Sequence, residues 1–237
     1  MEELYRVLAG SRLYGTNRPD SDVDLRMVVL EPIHTLIGLK PRFEVEQKIE
    51  GGVDQSTYGL GKFCNLALGA NPNILELLFA KGDAIQFCHK DFLELRVNKF
   101  FFLSQKIRKT FGGYARGQIG LIDRKDYRPE GTKAHLIQRH GWDVKAGMHL
   151  YRLCQQGLTL LEDPEIYDPR LQGNALATAF SILNGEWSKE KLLETCENLV
   201  NQIDTVSSML PNEPDFNHIQ NLVMDIYYRR IRDVGYF

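Results

Sequence analysis

Apolar and polar positions in the first sixty residues fall into blocks of strand length. Residues 4–9 form a short, mostly apolar run, and residues 23–30, rich in β-branched and aliphatic side chains, read as a buried strand. Asn17, Pro19, Asp20 and Ser21 between them are turn formers. Residues 43–49 and 53–58 flank Gly51-Gly52, the pattern of a β-hairpin. After about residue 60 the apolar spacing changes to that of helices. Short helices are expected over 60–68 and 74–80, and longer ones over 91–111 and 134–156, with Gly112-Gly113 breaking the chain between them. Further helices are expected over 174–183, 188–209 and 217–234, with Pro164, Pro169 and Gly173 marking a loop and Pro211 and Pro214 separating the last two.

The candidate chemistry lies where the first two strands meet. Gly10-Ser11 begins a turn whose backbone N–H groups can face an anion. Ser11 alternatively reads as a helix N-cap. Asp22 and Asp24 stand at the start of the next strand. Side chains at i and i+2 of a strand project to the same side about 6 to 7 Å apart, so this pair can bridge two Mg²⁺ ions roughly 4 Å apart. Such ions clamp the phosphates of a nucleotide and the attacking hydroxyl. The hairpin returns Val53-Asp54 to the sheet, which makes Asp54 the candidate third carboxylate. Glu44, Glu46 and Glu50 compete with it, and Glu44 and Glu46 would replace it if the hairpin register differed.

Gly10-Ser11-Arg12-Leu13-Tyr14-Gly15 followed by Pro19-Asp20-Ser21-Asp22-Val23-Asp24 resembles the nucleotidyltransferase superfamily typified by DNA polymerase beta. More narrowly it resembles the predicted nucleotidyltransferases associated with RNA ligases in bacteria and phages. Asn71-Pro72-Asn73 with Glu76, Gly113-Tyr114-Ala115 with Gln118, and Lys145 with His149, Arg152 and Leu153 extend the likeness across about residues 5–160. The resemblance implies an α+β fold, a small mixed β-sheet nucleotidyltransferase core followed by a helical bundle. It places a catalytic core over residues 1–92 and, over 93–237, a helical domain completing the nucleotide and acceptor cleft. It implies transfer of a nucleoside monophosphate from an NTP, with two Mg²⁺ (or Mn²⁺) ions held by Asp22, Asp24 and Asp54. Gly10, Ser11, Arg12, Tyr14, Lys145, His149 and Arg152 are the implied nucleotide-binding residues; the resemblance does not settle the hydroxyl acceptor, for which the basic middle segment favours an RNA end, of tRNA or a repaired RNA.

Other readings share part of this pattern. Transfer to a protein side chain or a small molecule would use the same metals, and a pocket that binds nucleotide without turnover would keep the same residues. Asp20, Asp22, Asp24 and Glu31 also match positions 1, 3, 5 and 12 of a calcium-binding EF-hand loop. That loop needs glycine at its sixth position, where Leu25 stands.

Composition narrows the class further. At 237 residues, 43% hydrophobic and 25% charged, the chain has the makeup of a globular protein able to bury a substantial core. No apolar run reaches membrane-spanning length and Met1-Glu2-Glu3 lacks the basic end of a signal peptide, so the chain is expected in the cytoplasm, of a host cell if phage-encoded, without a membrane partner. Cys64, Cys88, Cys154 and Cys196 are widely spaced and read as reduced thiols. The net charge of −2 conceals an asymmetry, because residues 96–145 hold 12 Lys or Arg against 4 Asp or Glu. A basic segment beside an acidic metal site suits a triphosphate or a polynucleotide, although basic residues on helices also form solvated faces. Phe100, Phe101, Phe102, Phe111 and Tyr114 interleave with it and read as core. On the helix after residue 134, Trp142, Ala146, Leu150 and Leu153 form a buried stripe, with Lys145, His149 and Arg152 along a polar edge beside it. Tyr227, Tyr228, Arg229, Arg230 and Arg232 read as a terminal helix docking on the core.

Overall fold

The computed structural model describes residues 1–19, 21–36, 39, 43–124 and 132–233. Its elements run β1 (Glu2–Leu8), α1 (Gly10–Tyr14), β2 (Val23–Leu30), α2 (Ile33–Leu36), β3 (Val45–Glu50), β4 (Val53–Gly59), α3 (Leu60–Leu68), α4 (Pro72–Leu78), β5 (Ile85–Cys88), α5 (Lys90–Val97), α6 (Lys106–Asp123), α7 (Thr132–His140), α8 (Val144–Glu162), α9 (Gly173–Leu183), α10 (Lys189–Thr205) and α11 (Phe216–Asp233). This is an α+β fold. The chain forms two compact units, Met1–Ser104 with Pro211–Phe237, and Gln105–Leu210. The division differs from a boundary at residue 92, because the chain leaves the first unit only after Ser104 and α11 returns to it.

The first unit is built on a sheet of order β3-β4-β2-β1-β5. β2 and β4 run parallel and the other neighbours antiparallel, so the sheet is mixed. The β3–β4 hairpin closes through Gly51 (φ +58°) and Gly52 (φ +80°), the two positive φ angles that a two-residue hairpin turn of matching twist demands. Strand β5, absent from the sequence expectation, adds an edge beside β1; four residues without alternation give too short a signal. Helices cover a core that includes Leu4, Tyr5, Val7, Leu60, Phe63, Leu75, Phe79, Phe92 and Leu95. Tyr5 stacks on Phe92 at 4.3 Å between ring centroids and donates its hydroxyl to the Leu77 carbonyl. The Asn71-Pro72-Asn73 motif is a helix start, in which the Asn71 side chain accepts from the Asn73 N–H and Pro72 needs no partner for the hydrogen it lacks.

Helix α11 docks on this unit through polar contacts. Tyr227 donates to the buried Glu31, which also accepts from the Leu60 N–H at the start of α3. Arg229 meets Glu94 bidentately at 2.8 Å, and Arg229 and Arg230 both face the buried Asp91.

The second unit is a bundle of α6 to α10 around Ile107, Phe111, Leu150, Leu153, Leu160, Leu192, Cys196 and Ile203. The break expected at Gly112-Gly113 does not occur, and α6 runs through both residues. A helix interior glycine costs about 1 kcal/mol relative to alanine, less than the packing of a long amphipathic helix gains. Helix α6 ends at Asp123, and the helix expected over 134–156 is itself interrupted at residues 141–143, where Gly141 (φ +81°) follows α7 and Asp143 caps α8 by accepting from the Ala146 N–H. Likewise, the helix expected over 91–111 ends at Val97 and resumes at Lys106. Phe102 and Phe111 are core residues, whereas Phe100, Phe101 and Tyr114 are about two-fifths exposed. The four cysteines are free thiols. Among the described residues no helix is long and apolar enough to cross a membrane.

Candidate active site

Two local devices bring the glycine turn against the acidic strand. The Ala9 N–H donates to the Asp24 carbonyl at 2.9 Å, fixing the end of β1 beside the start of β2. Gly10 then turns with φ +58° directly over the Asp24 side chain. A β-carbon at residue 10 would lie 2.0 Å from Asp24 Oδ2, so only glycine lets the backbone come this close. The residue that precedes α1 is Ala9, so Ser11 is not its N-cap; its carbonyl closes the helix by accepting from Gly15 and Thr16.

The parallel β2–β4 pairing sets Asp24 opposite Asp54 in register. Partnered residues of adjacent strands project to the same side, which puts the two carboxylates on one face. The hairpin register pairs Glu46 with Thr57 and Glu50 with Val53, both on the other face, while Glu44 ion-pairs with Lys62 at 2.8 Å. The three competing glutamates therefore lie away from Asp24. Asp22, just before β2, is exposed.

Arg26, two residues beyond Asp24 on the same face, places its guanidinium between the two carboxylates. Its Nη2 lies 3.4 Å from Asp54 Oδ2 and 3.6 Å from Asp24 Oδ1, and its Nη1 donates to the carbonyls of Leu25 and Asp54 at 3.0 and 2.9 Å. Burial pushes the Asp24 carboxyl above the usual carboxylate range, Arg26 opposes that shift, and the negative charges of Asp54 and Asp22 add to it. Among the described residues no three acidic, histidine or cysteine side chains converge as a ready cage for a metal ion. What the site offers is an in-register carboxylate pair of hard oxygen donors, a cation already attracted between them, and a backbone turn that touches one of them. That donor chemistry fits Mg²⁺ or Mn²⁺.

The remaining expected nucleotide contacts are placed differently. Tyr14 is buried and donates its hydroxyl to buried Glu76 at 2.7 Å, so its side chain anchors α1 to α4. Arg12 folds onto the following loop, with Nη2 donating to the Ser21 carbonyl. Lys145, His149 and Arg152 lie on α8 in the second unit and do not form one polar edge. Lys145 is exposed, but Arg152 is fully buried, donating to Gln156 Oε1 at 2.6 Å and to His149 Nδ1 at 2.9 Å. The Arg152 charge is thus tied to neighbours on its own helix, and Gln156 passes the link to the Pro169 carbonyl. Since a guanidinium only donates, His149 Nδ1 is the acceptor and its proton sits on Nε2. Desolvation, aided by the Arg152 charge, lowers the His149 pKa to about 4.

The calcium-binding reading is overturned. Its positions 4 to 11 are strand β2, and Glu31, which would close the ion shell, is turned inward to Leu60 and Tyr227. Asp20, its first position, lies outside the described residues, as does part of the basic segment, residues 125–131.

The Gly10 turn is thus set against an in-register carboxylate pair on a mixed sheet. Residues 1–195 match the RlaP family, described as the RNA repair pathway DNA polymerase beta family, and the chain belongs to it. An uncharacterized protein of Methanocaldococcus jannaschii is 26% identical over 141 residues, which are 58% of this chain and 57% of that protein. The chain thus spans less than two thirds of that relative. A nucleotidyltransferase-like protein of known structure from Exiguobacterium sibiricum is 12% identical, with 86% of this chain and 68% of that one covered at a TM-score of 0.30.

Proposed function

We propose that this protein is a metal-dependent nucleotidyltransferase that moves an NMP from an NTP to a hydroxyl at an RNA end. The observation that carries the reading is the register of β2 against β4, which pairs Asp24 with Asp54 beneath the Gly10 turn. Membership in an RNA repair family and the excess of 12 basic over 4 acidic residues in 96–145 favour RNA as acceptor.

In this reading Asp22, Asp24 and Asp54 would hold the divalent ions, Asp24 and Asp54 from one face of the sheet and Asp22 from the exposed start of β2. When bound, such ions neutralise the triphosphate and favour deprotonation of the acceptor hydroxyl. The backbone of Gly10 and Ser11 faces the terminal phosphates. The acceptor oxygen forms a bond to the α-phosphorus, the bond from that phosphorus to the bridging oxygen of the β-phosphate breaks, pyrophosphate leaves and the hydroxyl proton passes to solvent. The protein contributes positioning and fixed charge rather than a covalent intermediate.

Incubation with each α-labelled NTP, Mg²⁺ or Mn²⁺, and cellular RNA and protein tests this directly. Label enters RNA with the wild type, while Asp24→Asn and Asp54→Asn each reduce incorporation at least 100-fold without unfolding the chain. Label appearing in protein instead would replace the acceptor, and full activity in both variants would remove the metal assignment.

A further inference from the structure

Arg26 sits where a metal-binding carboxylate pair would be expected to leave room for a cation, and its contacts show how it is held. The Nη1 bonds to the Leu25 and Asp54 carbonyls, at 3.0 and 2.9 Å, have ordinary hydrogen-bond lengths. The Nη2 approaches to the Asp54 and Asp24 carboxylates, at 3.4 and 3.6 Å, are long beside the 2.7–2.9 Å typical of charge-assisted bonds. The guanidinium is therefore anchored by backbone and only leans on the carboxylates. Their oxygens are partly neutralised without being committed. A guanidinium does not deprotonate in a protein, so this charge is permanent, and with four-fifths of the side chain buried it is weakly screened.

We infer that Arg26 makes divalent-ion binding at Asp24 and Asp54 conditional on nucleotide. A divalent cation arriving alone meets a pair whose charge Arg26 has halved and is repelled by the guanidinium. A cation arriving with a triphosphate brings negative charge that offsets both terms, and the guanidinium then faces added phosphate oxygens. Arg26 is thus a positioning residue that sets the order of loading. The inference rests on the proposed function and concerns the same carboxylates.

Titration of the full chain with Mn²⁺, followed by electron paramagnetic resonance of free ion, tests it with and without an α,β-methylene NTP that does not turn over. After subtraction of the Mn²⁺ that the analogue chelates in the absence of protein, the wild type binds Mn²⁺ at least tenfold more tightly with the analogue than without it. Arg26→Met binds Mn²⁺ alone at least tenfold more tightly than the wild type, and the gain disappears in the Arg26→Met, Asp24→Asn double variant. Arg26→Gln, whose amide keeps a donor for the carbonyls, shows the same gain if the methionine variant fails to fold. Arg26→Lys, which keeps the charge, stays near the wild type. Unchanged or weaker Mn²⁺ affinity in both neutral variants overturns the inference and leaves the proposed function standing. Failure of the wild type to bind Mn²⁺ under either condition overturns both.

Discussion

Replacing Gly10 by alanine separates the site from the fold, because the structure supplies a matched control. Gly10 and Gly51 share φ +58°, but a β-carbon at residue 10 meets Asp24 Oδ2 at 2.0 Å and Asp24 Cγ at 2.9 Å, whereas at residue 51 it meets nothing within 4 Å. Alanine in the left-handed region costs about 1–2 kcal/mol at either position. The added contact at residue 10 is with the free end of a side chain, which relieves it by rotating, so the two variants are expected to lose similar stability. Each melting temperature then falls by roughly 2–8 °C. Their activities diverge. Rotation carries Asp24 away from Asp54 and from the turn, and a displacement of about 1 Å at a reacting centre can lower a rate about 100-fold. Labelled-NMP transfer, normalised to folded protein from the thermal melt, should therefore fall about 100-fold in Gly10→Ala and stay within about twofold in Gly51→Ala. Equal transfer by the two variants would refute the placement of Asp24 under the turn.

Two further substitutions probe residues whose placement differs from expectation. Tyr14→Phe removes the donor to buried Glu76 and should cost about 1–3 kcal/mol in chemical denaturation, with the KM for NTP unchanged; a raised KM at unchanged stability would return Tyr14 to the nucleotide. His149 carries a native pKa lowered to about 4 from an ordinary value of 6.5. Between these values the unfolded chain takes up a proton that the native ring refuses, so its contribution is fully present above pH 6.5 and is lost as pH falls toward 4, by up to about 3 kcal/mol. Denaturation of the wild type and His149→Gln at pH 7.5 and 4.5 reads this out, and equal pH slopes would show that the ring does not titrate as described.

The parts of the site that were legible are those encoded by local pattern. The β3–β4 hairpin followed from Gly51-Gly52 between two strand-forming runs, and β2 followed from its β-branched run. The proximity of Asp54 to Asp24 depends on β4 lying beside β2, and no local signal specifies a parallel pairing across thirty residues. Period two puts Arg26 on the face of Asp24, but only the β2–β4 pairing brings its guanidinium to Asp54 as well. Tyr14 and Arg152 illustrate the converse. Each belongs to a motif that resembles a functional family, yet each is buried with a partner elsewhere, Glu76 sixty-two residues on and Gln156 one turn along the helix. Sequence spacing shows which residues share a face but not whether that face meets solvent. The return of α11 rests on Tyr227, Arg229 and Arg230 finding Glu31, Glu94 and Asp91, pairings between distant charges that periodicity does not encode.

That return has a consequence for how the protein is made. The sheet-bearing unit is started by residues translated before the 105–210 bundle but includes α11, translated only after it. Vectorial synthesis normally lets an amino-terminal body finish first. Here the bundle has all its helices available while Asp91, already beside His89, and Glu31, already accepting from the Leu60 N–H, still await Arg229, Arg230 and Tyr227, so these last contacts form only after more than a hundred further residues have been translated.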